Sequence, residues 1–135
     1  VLPLDLSKET KEKVGKCIEI ATFFNSAVKV MSIVDTNDEF FKNKLTRQMN
    51  QVLEFLQNSG ISCSGEFIAD DDIAEGVLKY ADKVNADLII IMTQQELEFT
   101  DYFIGTASAH IINNSEIPVC SIRPMERKDT TEYVI

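Results

Sequence analysis

One segment constrains the fold more than any other. From Ala86 to Pro124 the chain reads ADLIIIMTQQELEFTDYFIGTASAHIINNSEIPVCSIRP. Its apolar run Leu88–Met92 shows no polar alternation, so a strand there has to be buried on both faces. A parallel sheet covered by helices on each side provides that setting. A long loop follows, then a Gly105-Thr106 pair expected to start a helix over Ala107–Asn114. A strand over Val119–Ile122 comes after Pro118. This is the order of a phosphate-cradling α/β site, yet the loop lacks the glycines that let a backbone approach a phosphate.

The rest of the chain alternates in the same way. Val1–Leu4 reads as a short strand and Asp5–Ser7 as a turn. Lys8–Asn25 reads as a helix with Val14, Cys17, Ile18, Ala21 and Phe24 on one face. Ser7 is its expected N-cap, and Asn25 suits the left-handed position at its end. A strand over Ala27–Val34 leads to a helix over Asp38–Asn58, with Leu45, Met49, Val52, Leu53 and Leu56 facing inward. Ser59-Gly60 stops that helix. The strand Ile61–Ala69 puts Ile61, Cys63, Gly65, Phe67 and Ala69 on one face. Asp72 followed by Glu75 has the spacing of a capping box for a helix over Ile73–Val84. The expected architecture is a three-layer α/β/α sandwich around a five-stranded parallel sheet.

A chain of 135 residues suits one domain, placed at 1–124, and buries enough surface to need no staple. The tail 125–135 is polar and is expected to fray or to pack on a missing part of the protein. The chain opens with Val1 rather than Met, which suggests a domain of something longer. A net charge of −9 provides no basic footprint for nucleic acid and repels an anionic membrane. No apolar run is long enough to span a bilayer. Cys17, Cys63 and Cys120 are odd in number and form no CxxC pair, the usage of reduced thiols in a cytoplasmic protein.

In open α/β sheets, ligands bind beyond the C-terminal ends of the strands, where the strand order reverses. That rule points to Asp5, to Ile33–Asp35 and to the loop after Met92. Asp5 has two roles open to it, a ligand contact or a turn that bonds the following amides. Asp70-Asp71-Asp72 either starts a helix or gathers carboxylates for Mg²⁺ or Ca²⁺. The capping role of Asp72 favours the first, and no metal site is expected. His110 stands without a Ser-His-Asp or Cys-His constellation, so no catalytic residue is assigned. A phosphoacceptor receiver domain is excluded, because Asp5 lacks an acidic neighbour and Arg123 sits where a Lys is required.

Taken in order, several segments resemble the universal stress protein family, over roughly Val1–Pro124. LPLDLSKETKEKVGKCIEIA is similar to that family's first strand, aspartate and helix. KVMSIVD resembles its second strand and ADLIIIM its fourth, and GTASAHIINNSEIPVCSIRP resembles its closing helix-Pro-strand unit. The resemblance implies an adenine nucleotide alpha hydrolase-like fold. ATP-binding members carry G-x2-G-x9-G-[S/T] after the fourth strand, and its amides and hydroxyl wrap the phosphates. By spacing, Met92, Gln95, Gly105 and Thr106 fall on that pattern, and only the last two match it. The loop adds Glu96, Glu98 and Asp101 without Lys or Arg. Like charges about 4 Å apart repel by about 1 kcal/mol even in bulk water.

The resemblance therefore implies a stress-response regulatory and dimerisation domain, not an enzyme, without ATP as a cofactor in the family mode. It implies a member of a non-nucleotide branch or the degenerate half of a tandem protein. The alternative is a sensor of a nucleotide or other anionic metabolite. Its ligand would lie between Asp5, Ile33, Thr93 and the Gly105-Thr106 helix start, with Ser108 beside it. A nucleotide hydrolase needs a base or metal near the phosphates, and only Asp5 or Asp35 is available. Phe99, Tyr102 and Phe103 either cap an empty pocket or form a partner contact. The strand Val119–Ile122 lies at a sheet edge in the family. The resemblance implies that it pairs with its counterpart in a homodimer or with a sister domain.

Overall fold

Strands and helices alternate along the chain in a computed structural model that describes residues 1–4, 10–34, 37–93 and 101–123. At 10 and 101–106 the backbone alone is described. The elements are β1 (Leu2–Leu4), α1 (Thr10–Phe24), β2 (Val28–Val34), α2 (Glu39–Asn58) and β3 (Cys63–Ala69). They continue with α3 (Ile73–Lys83), β4 (Ile89–Met92), α4 (Asp101–Asn114) and β5 (Val119–Ile122). Every strand pairing is parallel. The tail 125–135 and the expected N-cap Ser7 lie outside the described residues.

The expected five-stranded sheet is built as two ladders, β3-β2-β1 and β4-β5. Val1 joins them, accepting a hydrogen bond from Ile90 N at 2.9 Å and donating one to Leu88 O at 2.8 Å. The seam is narrow because β1 is only three residues long. Across it the strands run in the order β3-β2-β1-β4-β5. The register sets Leu2 beside Val30 and Leu4 beside Ser32, then Ser32 beside Phe67.

Alternation along the strands divides the core between two helical layers. Val28, Val30, Ile90 and Met92 pack with Val14, Cys17 and Ala21 of α1 and with Met49, Val52 and Leu56 of α2. Met31, Ile89 and Ile91 face the other way, onto Ala74, Val77, Tyr80 and Ala81 of α3 and Ile111 of α4. The whole of β4 is buried, as its unbroken apolar run requires. Each such isoleucine contributes roughly 1.5–3 kcal/mol by leaving water.

Local rules set the helix ends. Asp38 caps α2, its Oδ1 accepting from Phe40 N at 2.9 Å and Phe41 N at 3.4 Å. Three helices leave through the same turn. Asn25 (φ 53°), Gly60 (φ 79°) and Asn85 (φ 52°) all sit in the left-handed region. In each case the next amide reaches back five residues: Ser26 N to Ala21 O, Ile61 N to Leu56 O and Ala86 N to Ala81 O, all at 2.9 Å.

Four sequence expectations need correction. Phe24 is 67% exposed rather than inward, because the last residue of α1 overruns the core; its ring meets Phe23 edge-on at 4.9 Å. The third strand begins at Cys63, and Ile61 is buried in the turn before it. The expected face of that strand is only partly covered, since β3 is an edge and Phe67 stays 42% exposed. Finally, α4 begins at Asp101 instead of Ala107.

Candidate functional site

The strand order reverses between β1 and β4, so the crevice beyond their C-terminal ends is the candidate site. β1 delivers the chain to it at Leu4. Asp5, Asp35, Gln95, Glu96, Glu98 and Phe99 lie outside the described residues, as do the side chains of Asp101, Tyr102 and Phe103. The remaining expected residues can be placed.

Met92 ends β4 and is buried in the α1/α2-facing cluster. Its side chain is therefore committed to the core. It fills the core because it alternates in step with Ile90. Thr93 follows and extends the ladder, its N donating to Ile122 O at 2.9 Å. Its hydroxyl also turns to Ile122 O, at 3.5 Å, so Thr93 is tied to the end of β5. Ile33 reaches the other layer, where its Cδ1 occupies the space that a Cβ on Gly76 would need. Its side chain thus serves the packing of β2 on α3.

Gly105 and Thr106 lie inside α4, one turn beyond its first residue. The expected helix start at this pair is therefore displaced to Asp101. Amides of a helix's first turn point outward, whereas later ones bond to the carbonyl four residues back. Gly105 and Thr106 thus have their amides within the helical ladder, and Ser108 is deeper still.

Two polar residues at this end escaped the sequence reading. Lys13, in the first turn and a half of α1, is only 4% exposed, and its Nζ donates to Pro3 O at 2.7 Å. A cation is thereby held under the last residues of β1. The signal was present, because Lys13 lies four residues before Cys17 on the inward stripe. Ser32 lies beside Leu4 in the register and is 1% exposed. It alternates with Val28 and Val30 and so faces the α1/α2 layer.

A cavity of about 630 Å³ opens one strand away, between α2 and the C-terminal ends of β2 and β3. Val34, Phe67 and Ala69 give it an apolar floor, and Lys42, Thr46 and Asp71 give it polar walls. Its size suits a small ligand. Of the end of β2, Val34 lines it.

The Asp70–Asp72 run is organised as a helix start. Asp72 Oδ1 accepts from Glu75 N at 3.0 Å, and Asp70 Oδ1 accepts from Asp72 N at 2.9 Å. That second bond holds the Asp70 carboxyl below the usual range, with Lys79 at 3.7 Å assisting. Among the described residues no group of three His, Cys, Asp or Glu side chains is placed to hold a metal. The capping box is half made: the Glu75 carboxylate bonds His110 Nε2 at 2.8 Å instead of returning to Asp72. Cys17 is buried and its thiol is pushed up to about 11, chiefly by desolvation. Cys63 donates weakly to Leu53 O at 3.6 Å, and burial raises it too. Cys63 and Cys120 both pack against the α1/α2 core.

Residues 1–123 match the sequence pattern of a family described as the Universal stress protein family. The chain is 21% identical over 142 aligned positions to a universal stress protein of Methanocaldococcus jannaschii, covering 95% of this chain and 83% of the relative. A universal stress protein from Archaeoglobus fulgidus has a similar structure, with a TM-score of 0.78 at 14% identity, over 90% of this chain and 95% of that one. A structure of the universal stress protein from Archaeoglobus fulgidus in complex with dAMP gives a TM-score of 0.73 at 17% identity over 90% of this chain and 94% of that one.

Proposed function

The chain belongs to the universal stress protein family, and from that premise we propose that it is a non-enzymatic regulatory domain that does not hold ATP in the glycine-loop mode. The observation that carries this reading is the start of α4 at Asp101. It leaves the Gly105 and Thr106 amides inside the helical ladder, where a phosphate chain has no claim on them. The run of Glu96, Glu98 and Asp101 without a basic residue works in the same direction. His110 is engaged with Glu75, which favours a structural role over acid–base catalysis.

A second reading is a sensor of a small anionic ligand at the switch point. The dAMP complex of the Archaeoglobus fulgidus neighbour is a precedent for such a ligand on this fold. Either reading allows assembly through the outer edge of β5, which among the described strands pairs only with β4. Its partner is a second copy or a sister domain. A cytoplasmic location belongs to the same proposal, and Cys17, Cys63 and Cys120 as free thiols agree with it. No described helix is long and apolar enough to cross a membrane.

Calorimetry with Mg²⁺-ATP and with AMP tests the choice. No heat with ATP at about millimolar concentration is expected. Micromolar binding of ATP that Thr106→Val abolishes would overturn the first reading. Binding of AMP in the absence of ATP binding would support the second.

A further inference from the structure

We propose that the cavity between α2 and the C-terminal ends of β2 and β3 is a second ligand site, and that it takes an apolar α-amino acid, with Lys42 receiving the carboxylate and Asp71 the ammonium. The site lies on the α2 side of the sheet, away from the switch point, and depends on neither functional reading above. Its origin is in the sequence of α2. Lys42, Thr46, Met49 and Leu53 recur every three or four residues and so share one stripe of that helix. At Met49 and Leu53 the stripe lies close on β3, since a Cβ on Gly65 would run into both side chains. Phe67 stands two residues further on the same face of β3. There the stripe turns polar, at Thr46 and Lys42, and the cavity of about 630 Å³ opens.

Each part of the lining answers one part of such a ligand. Val34, Phe67 and Ala69 form the apolar floor. Phe67 is 42% exposed although it shares a face with Gly65, so its ring has area left to cover, and an aromatic side chain suits it. Lys42 is half-buried in the wall, and among the described residues its ammonium enters no ion pair. A carboxylate is the matching group. Asp71 stands exposed in the turn after β3. Its neighbour Asp70 is occupied by Asp72 N at 2.9 Å and by Lys79 at 3.7 Å, which leaves Asp71 as the carboxylate of this turn to receive an ammonium. The Thr46 hydroxyl donates to Lys42 O at 2.9 Å, so what it offers a ligand is its oxygen, an acceptor. A simple anion would be repelled by Asp71 and a simple amine by Lys42, whereas a zwitterion satisfies both.

The test is an NMR titration of the full chain with L-phenylalanine, phenylpropionate and phenethylamine. The two analogues keep the ring and drop the ammonium or the carboxylate in turn. L-phenylalanine is expected to shift the amide resonances of Val34, Lys42, Thr46 and Phe67 with a dissociation constant of about 1 mM. It should bind about threefold or more tighter than either analogue, the scale of one partly exposed ion pair. Lys42→Met should remove the preference over phenethylamine and keep that over phenylpropionate. Asp71→Asn should do the reverse, and Phe67→Ala should weaken all three ligands. Absence of shifts at about 10 mM L-phenylalanine overturns the proposal. An analogue that binds as tightly as L-phenylalanine also overturns it, because one of the two charges then has no receiver. Shifts confined to the switch point, at Thr93 and Ile122, or preferences unchanged in both Lys42→Met and Asp71→Asn, overturn the placement of the site. If a variant does not fold, the ratios of the three ligands on wild type decide alone.

Discussion

Glu75 Oε1 lies 2.8 Å from His110 Nε2, and this contact joins α3 to α4 through the single histidine of the chain. It exists because Asp72 N is already taken by Asp70, which frees Glu75 from the capping box. Both side chains are nearly half exposed, so solvent weakens the pair. A double-mutant cycle with Glu75→Ala and His110→Ala should give a coupling of about 0.3–1 kcal/mol in urea unfolding. A coupling of zero would mean that the contact does not tie the helices.

Gly76 is a close crossing between α3 and β2. A Cβ there would fall on Ile33 Cδ1 and within 3.2 Å of Asp70 Cβ. Gly76→Ala gains about 1 kcal/mol of helix propensity but overpacks the interface, which costs about 1–3 kcal/mol. The expected result is a net loss of stability, partly restored when Ile33→Val is added. Simple stabilisation by Gly76→Ala in a urea titration would refute this packing.

Asn25 and Asn85 hold positive φ at helix ends, a conformation that other L residues adopt at a cost. Asn→Ala at either position should lose roughly 1–2 kcal/mol, and Asn→Gly should be close to neutral. Equal stability of the Ala and Gly variants, read by thermal unfolding, would contradict the assigned turns.

Burial raises the Cys17 thiol from 9.0 to about 11 in the folded chain. A raised folded value means that the native state prefers the protonated thiol. The stability this provides is complete below about pH 9 and drains away as pH rises toward 11. The loss is on the order of 1–2 kcal/mol. Tyr80, raised mainly by burial and then by Glu66, falls in the same alkaline region, so the Cys17 share is read as a difference. In Cys17→Ala the fall between pH 9 and 11 should be shallower than in wild type. Parallel curves would show that Cys17 does not contribute.

The scaffold was legible where one rule acted alone. The unbroken run at Leu88–Met92 announced a strand buried on both faces, and that strand is β4. Asn25 and Ser59-Gly60 marked helix ends because few residues tolerate a left-handed turn. Expectation failed where two demands met on one residue. Glu75 had the spacing of a capping box, yet a histidine 35 residues away competes for its carboxylate. Met92 fell on a glycine of the loop pattern, yet the alternation of β4 sends its side chain to the core. Lys13 was overlooked because its charge suggested solvent, although its position on the helix did not. The Gly-Thr pair signalled a helix start, and Asp101 instead begins the helix a turn earlier.

The three left-handed turns at Asn25, Gly60 and Asn85 all lie on the rim where the strands begin, each three or four residues before the next strand. That rim behaves like the bound spine of a book. Its hand is fixed residue by residue, and a deletion there would misdirect an entire page. The opposite rim, where β1, β2 and β4 end, is the fore-edge. Descendants of this chain can rewrite what the fore-edge holds while the binding stays the same.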